Sequence, residues 1–313
     1  NAVNPVATQN QQKYDLSRNW VINGSTYGEV DFLKHFTAKT MIGVNIVNYF
    51  YNNTGDNPYY SGEGHAIQNN FNTGGGYSTA YNWTNTIQYS QVFGKHSIKA
   101  FGGFEAKDNL GRSVYAQVNN LFSLDPAYVS ISNGDVSSVI ASGGPDQEYS
   151  TLSFFGRLDY IYTDRYILGA TVRRDGYSAF FPGRQWGTFP SVSLAWRLSQ
   201  ENFLKGVSWL QDLKLRGSYG SSGFNGNTGG GNAYSSFAPN FGGASYAING
   251  AINSALGGFY ASQIGNKKTT WETDKTANVG IDASLFNHLD VTLEWFKKTN
   301  TGLLDVIILP ATA

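Results

Sequence analysis

Strict alternation of apolar and polar positions is the signature of a strand whose two faces meet unlike surroundings, and it recurs ten times along this chain. From Trp20 to Phe32 the even positions read Trp20, Ile22, Gly24, Thr26, Gly28, Val30 and Phe32, against Asn23, Ser25, Tyr27, Glu29 and Asp31. After a turn near Lys34, the set Phe36, Ala38, Thr40, Ile42, Val44 and Ile46 opposes Thr37, Lys39 and Asn45. Two further runs join at Phe93-Gly94-Lys95: Tyr77 to Tyr89 on odd positions, then Ile98, Ala100, Gly102 and Phe104 against Lys99, Glu105 and Lys107. Leu152 to Tyr162 turns at Thr163-Asp164-Arg165 into Tyr166, Leu168, Ala170 and Val172. The last four runs carry Trp186 to Leu198, Leu213 to Tyr219, Ala277 to Leu285 and Leu289 to Trp295 on their apolar faces.

The connections have a pattern of their own. Those at 33–35, 93–95, 163–165 and 286–288 are short, and 199–211 is a longer turn with room for one helical turn. Between them lie Gly-, Asn-, Ser- and Tyr-rich stretches at 48–76, 109–148 and 221–270, and a shorter one at 175–185. Short turns at one end and long loops at the other are how a transmembrane β-barrel is strung, with the long loops outside the cell. About ten residues at ~3.3 Å each, tilted by ~40°, span about 25 Å, the height of an outer-membrane apolar band. The expected fold is therefore all-β, an antiparallel transmembrane β-barrel of which the chain supplies about ten strands. The polar faces look into a lumen or onto a plug, because a charge turned to lipid at the midplane costs about 2 to 4 kcal/mol.

Composition narrows the reading further. Charged residues are 14% and aromatics 15% of the 313 residues, with 37 Gly, against roughly 25% charged in an ordinary soluble domain. Lys+Arg and Asp+Glu balance at 22 each, so neither a nucleic-acid partner nor an acidic solvating tail is expected. There is no Cys, hence no disulfide framework and no thiol chemistry. No apolar run approaches the roughly 18 residues of a membrane helix. The first residues, Asn1 to Pro5, have no charged leader ahead of an apolar stretch, so no signal peptide is in view and the sequence is expected to start after a cleavage site or within a longer protein.

From Ser153-Phe154-Phe155-Gly156-Arg157-Leu158-Asp159-Tyr160 onward the chain resembles the SusC/RagA-type TonB-dependent transporters of the Bacteroidetes outer membrane. The likeness runs through Asp164-Arg165-Tyr166, Arg173-Arg174-Asp175-Gly176, Gly187-Thr188-Phe189-Pro190-Ser191 and Ala195-Trp196-Arg197. It continues through Leu213 to Gly220, Trp271-Glu272-Thr273, Asn278 to Asp282, Leu285-Phe286, Leu303-Leu304-Asp305 and Leu309 to Thr312. It is strong over 150–313 and a matter of strand pattern alone over 1–149. The resemblance implies a barrel of about 22 strands around a plug, coupled to TonB and capped by a SusD-like surface lipoprotein. Against that pattern the plug domain, the TonB-contacting segment and the final strands are expected to be absent from this chain, which reads as an internal portion of the barrel.

Catalytic chemistry is not expected. His35, His65, His96 and His288 have no zinc-ligand spacing, and they read as polar turn residues at the membrane interface. Gly226 to Gly231 lacks the Lys-Ser/Thr and the strand-to-helix context of a phosphate cradle. No Gly-x-Ser-x-Gly elbow occurs. No cofactor and no metal are expected.

Two sets of residues are candidates for function. Loop aromatics Tyr59, Tyr60, Phe71, Phe180, Phe181, Tyr234, Phe237, Tyr246 and Tyr260 stand beside Asn, Gln and Ser donors, a combination that suits sugar rings or peptide side chains; the competing role is packing of loops or of an interfacial girdle. Polar-face charges Lys99, Glu105, Lys107, Arg157, Asp159, Arg173 and Asp175 mix both signs, which suits docking of a plug better than attracting one class of solute. The reading as a whole is energy-coupled import of an oligomeric nutrient, glycan or peptide, across the bacterial outer membrane, with outer-membrane lipid, TonB and a SusD-like lipoprotein as partners. The alternative is a passive porin or a structural surface β-protein.

Overall fold

A computed structural model describes residues 12–55, 59–61, 64–65, 68–146, 148–226, 233–247 and 255–305, together with Val6 and Gln9. The strands of its first half are β1 (Leu16–Phe32), β2 (Phe36–Gly55), β3 (Tyr59–Ser61), β4 (Gly64–His65), β5 (Asn70–Phe93), β6 (His96–Asn119) and β7 (Ile140–Pro145). Then follow β8 (Tyr149–Tyr162), β9 (Tyr166–Tyr177), β10 (Trp186–Arg197), β11 (Leu210–Phe224), β12 (Ser236–Ala247), β13 (Ala255–Gln263), β14 (Glu272–Leu285) and β15 (Leu289–Thr301). Among the described residues no helix is long and apolar enough to cross a membrane.

The ten alternating runs are ten neighbours of one sheet, in the order β1-β2-β5-β6-β8-β9-β10-β11-β14-β15, with β7 paired to β6 off that path. Each strand lies beside the next in sequence, except where a loop hairpin intervenes. The pairs β8–β9, β9–β10, β10–β11, β11–β14 and β14–β15 are antiparallel. Strands β12 and β13 form a separate hairpin within 221–270.

Several strands run past the end of their alternating run: β2 reaches Gly55, β5 begins at Asn70, β6 reaches Asn119 and β11 reaches Phe224. The stretches 48–76, 109–148, 175–185 and 221–270 are thus loops only in part. The reason is physical. Alternation is enforced only where one face meets an apolar medium, and in segments such as Asn48 to Asn53 and Asn70 to Gly76 both faces carry polar or glycine residues while the backbone still pairs.

By their internal contacts the residues group into two units. One takes in the chain up to Thr26, Ile42–Asn82 and Asp108–Glu148; the other takes in Tyr27–Met41, Trp83–Lys107 and Tyr149 onward. The first unit has a small core of Phe71, Val118 and Leu121, flanked by Val129 and Ile131. Asn69 ties the chain down beside it, donating to the Leu121 carbonyl at 3.0 Å and accepting from the Leu121 N–H at 2.7 Å.

In the second unit the apolar face carries two rows of aromatic rings. Towards the loop ends, Trp83 meets Phe104 edge-on at 5.2 Å, Phe104 meets Phe154 at 6.4 Å, and Phe154 stacks on Trp186 at 6.2 Å. Trp186 reaches Phe154 across β9 because its opposite residue is Gly176, where a Cβ would come within 2.9 Å of the indole. At the short-turn ends Tyr162, Tyr166 and Trp196 stack in sequence at 6.4 and 6.2 Å. His96 joins that row, 4.9 Å from Tyr162 and 5.4 Å from Phe93, and Trp209 stacks on Phe286. The rows are eight residues apart on β8 and ten on β10, about 20 to 25 Å of height for tilted strands. Between them the face is Leu158, Leu168, Ala170, Val172, Val192, Leu194, Val279 and Ile281. That is an apolar band bounded by two aromatic girdles.

The short turns are tight. Leu33 and Lys34, Thr163 and Asp164, and Phe286 and Asn287 all have φ between 48° and 63°, and only the β5–β6 turn places a glycine, Gly94, in that region. Arg165 and His288 close two of these turns by donating to the carbonyls of Tyr162 and Leu285 at 3.0 and 3.2 Å.

Candidate functional site: the polar face and the loop-end aromatics

The face opposite the apolar band is built from odd positions of β6, β8, β9 and β10 and even positions of β11, β14 and β15, as the cross-strand registers require. On β6 and β9 its charges form a connected ladder. Lys107 pairs with Glu105 at 2.9 Å, Glu105 with Arg173 at 3.5 Å, and Arg173 with Asp175 at 2.7 Å. Arg173 also donates to the Ser153 hydroxyl at 2.9 Å, and its guanidinium stands 5.6 Å over the Phe155 ring. Arg157 and Asp159 form a pair of their own at 2.8 Å, while Lys99 is exposed on the same face. Of the seven charges singled out from sequence, four are thus brought into one ladder and two into a pair, with Lys99 acting on Asp159 through its charge.

Beyond β9 the face changes character. Ser191, Ser193, Ser218, Ser222, Asp274 and Thr276 line a hydroxyl-rich hollow of about 300 Å³. Past it a second ladder begins, to which the sequence analysis gave no role. Asp282 accepts from Lys214 at 2.9 Å and from Arg216 at 3.2 Å. Arg216 reaches on to Asn278 at 3.0 Å and to Glu294 at 2.5 Å, and Lys298 pairs with Asp274 at 2.8 Å. The signal in the sequence was parity alone. That β11 would lie beside β14, across the intervening 221–270 stretch, is not a local property of the chain.

At the short-turn end, one carboxylate gathers the ends of β9 and β10 and the turn before β9. Glu201 accepts from the Trp196 indole at 3.1 Å, the Tyr166 hydroxyl at 2.8 Å and Arg165 at 3.0 Å. The Trp196 and Tyr166 hydrogen bonds, in that order, with the Arg165 charge behind them, hold the carboxyl below the ordinary glutamate value. A carboxyl whose folded pKa is depressed contributes stability above its unfolded pKa and loses it as pH falls through the folded one. The Trp196 indole N–H resonance should therefore move as the solution is acidified below the ordinary glutamate range. In Glu201→Gln that titration should vanish while the resonance stays in place at neutral pH.

At the loop end of the second unit lies an aromatic core on the polar-face side. Phe180 is 1% exposed, with Tyr177 edge-on at 5.1 Å and Trp271 edge-on at 5.6 Å; Phe189 packs on Trp271 at 5.7 Å. Trp271 donates to the Gln185 carbonyl at 2.8 Å, and Thr270 to the Arg184 carbonyl at 2.9 Å. A Cβ at Gly187 or Gly223 would overlap the Phe189 ring, so those glycines let the core close.

This core corrects the reading of two loop aromatics. Phe180 here and Phe71 in the first unit, 6% exposed, have no free ring face and serve packing. Composition marked both as loop aromatics, whereas burial depends on long-range partners. Phe181 is half-buried, with Tyr234 at 5.9 Å and the Lys267 ammonium 5.1 Å above its ring. Tyr234, Phe237 and Tyr260 are exposed. The side chains of Tyr59, Tyr60 and Tyr246 lie outside the described residues.

Set beside known proteins, residues 3–312 match the sequence profile of a family described as TonB dependent receptor-like, beta-barrel. The chain belongs to this family. Its all-β antiparallel architecture is accordingly that of a TonB-dependent receptor barrel. TonB-dependent receptor P26 of Formosa agariphila is 30% identical over 307 residues, 94% of this chain and 28% of that protein. TonB-dependent receptor SusC of Bacteroides thetaiotaomicron is 34% identical over 165 residues, 51% of this chain and 16% of that protein. Among solved structures, one described as the RagAB peptide transporter superposes with a TM-score of 0.82 at 23% identity, covering 97% of this chain and 32% of that one. The chain thus spans less than a third of these receptor-family relatives, and the SusC/RagA resemblance is in place.

Proposed function

We propose that this chain is part of the wall of a TonB-dependent transporter in the bacterial outer membrane. The transporter imports an oligomeric nutrient, glycan or peptide, together with a SusD-like surface lipoprotein. One observation carries the reading: in the second unit the ion-paired charges lie on one face of the sheet and the girdled apolar band on the other, within a chain of the TonB-dependent receptor family. Such a wall separates lipid from a polar interior. The long stretches 48–76, 109–148, 175–185 and 221–270 face outside the cell.

The ladder of Glu105, Lys107, Arg173 and Asp175, the Arg157–Asp159 pair and Lys99 dock the plug. Charges paired within the wall leave a face of mixed sign, which suits a protein surface better than a stream of like ions. Phe181, Tyr234, Phe237 and Tyr260 are the candidate substrate contacts, since each keeps ring surface free beside polar neighbours. The RagAB protein is described as a peptide transporter, which is the ground for favouring an oligomer, and SusC is described as a TonB-dependent receptor.

The full-length protein in a planar bilayer should show no large steady conductance, and uptake in cells should fall to background without functional TonB or a proton-motive force. Steady conductance together with TonB-independent uptake would establish the porin alternative instead.

A further inference from the structure

The apolar face of the second unit holds three charges among the described strand residues, and all three are basic: Arg174 on β9, Lys275 on β14 and Lys297 on β15. Their parity is set by the registers. Arg174 opposes Thr188 on the Trp186 face, Lys275 opposes Thr299, and Lys297 opposes Ala277, on the face of Val279, Ile281 and Trp295. Within the second unit, the other Lys, Arg, Asp and Glu side chains of these strands lie on the polar face, where the two ladders and the β1–β2 pair Glu29–Lys39 absorb most of them. Arg174, Lys275 and Lys297 are exposed and enter none of the described salt bridges. Each lies within five residues of the loop end of its strand, next along the face from Val172, Ala277 or Trp295. The short-turn ends of the same face carry no charge.

A basic side chain beside lipid is costly at the midplane and nearly free at the interface, where its stem lies along apolar surface and its head meets polar groups. Arg174 follows that geometry, with its guanidinium 5.1 Å over the Trp186 ring of the girdle. Lys275 and Lys297 are diagonal neighbours about 7 to 8 Å apart, close enough to share one anion, and Arg174 stands three strands away, roughly 14 Å. A molecule meeting this row has apolar surface on one side of it and water on the other. It must therefore carry an anionic head on an apolar body.

From this we infer that Arg174, Lys275 and Lys297 form a site for the phosphate groups of an outer-leaflet lipid. The inference rests on the membrane placement proposed above and adds a ligand to the outer surface of the wall, separate from the solute path. Cations near a phosphate-bearing surface each contribute about fivefold in affinity, so three together give about 100-fold.

The test uses the full-length protein in detergent with bisphosphorylated lipid A, its dephosphorylated counterpart and inorganic phosphate as probes, read by native mass spectrometry. The variant R174Q/K275Q/K297Q should lose lipid A binding about 100-fold, whereas K34Q/K95Q/K205Q, which removes as much charge at the short-turn end, should not. Dephosphorylated lipid should bind the native protein as weakly as bisphosphorylated lipid binds the first variant. Equal losses in both variants, or equal binding of the two lipids, would overturn the site. Binding of inorganic phosphate as tight as that of lipid A would reduce it to a free-anion site and overturn the lipid assignment. Insertion of each variant into vesicles is scored separately: failure of the native protein to insert counts against the membrane reading, while insertion with unchanged lipid affinity counts against this inference alone.

Discussion

Phe180→Ala should open the loop-end aromatic core, at a cost of about 3 to 5 kcal/mol in local stability, the range for removing a fully buried phenyl ring. The ring is 1% exposed and is held edge-on by both Tyr177 and Trp271, so its loss leaves a cavity that neither neighbour fills by a rotamer change. The segment between β9 and β10 hangs on this ring and on the hydrogen bonds from Thr270 and Trp271 to Arg184 and Gln185. Limited proteolysis within 178–185 should accelerate by about two to three orders of magnitude, because cleavage follows the population of the opened segment. Phe181→Ala, which truncates the half-buried neighbour, should change the rate by less than about tenfold. Equal sensitivity of the two variants would mean that Phe180 does not anchor the loop.

Val192→Arg should destabilise the folded barrel by about 2 to 4 kcal/mol, the cost of an arginine at the centre of a lipid-facing strand. Val192 is 44% exposed on the apolar face and is flanked by Ala170 on β9 and Tyr219 on β11, midway between the two girdles. One residue away, Ser191→Lys adds a similar charge to the hydroxyl-lined hollow that also holds Asp274. It should cost less than about 1 kcal/mol, as surface substitutions do. Denaturant unfolding in lipid vesicles measures both. The sign of the difference tests the face assignment, since exchanging the two faces exchanges the two outcomes.

Much of this was legible in the sequence because a strand between lipid and a polar interior has to alternate. The ten runs, their faces and their short turns follow from that one constraint, and the register of β14 and β15 matches the parity of Ala277 to Leu285 and Leu289 to Trp295. Where the constraint lapses, so does legibility. The extensions of β2, β5 and β6 into 48–76 and 109–148 carry polar residues on both faces, so their pairing leaves no periodic trace. Charges could be assigned to a face but not to partners: Glu105 and Arg173 meet because β8 sits between their strands, and Arg216 reaches Glu294 because β14 does. The fate of Phe71 and Phe180 turned on burial by distant segments, to which loop composition is blind. Arg174 was read as part of a family string, and its place beside Trp186 required the β9–β10 register.

The short turns bear on how such a chain can assemble. At Leu33-Lys34, Thr163-Asp164 and Phe286-Asn287, paired residues with side chains occupy left-handed backbone, a conformation costing roughly 1 to 2 kcal/mol for ordinary residues such as Leu33, Lys34, Thr163 and Phe286 and less for Asp164 and Asn287. Asn-Gly or Asp-Gly would seed such hairpins, and these pairs do not. Two strands alone are marginal in water even with a favourable turn. Hairpin formation at these three points is therefore expected to follow strand pairing and not to nucleate it. On the membrane placement proposed above, the alternation finds its two-sided medium before the corners close, and folding is tied to insertion by the corners themselves.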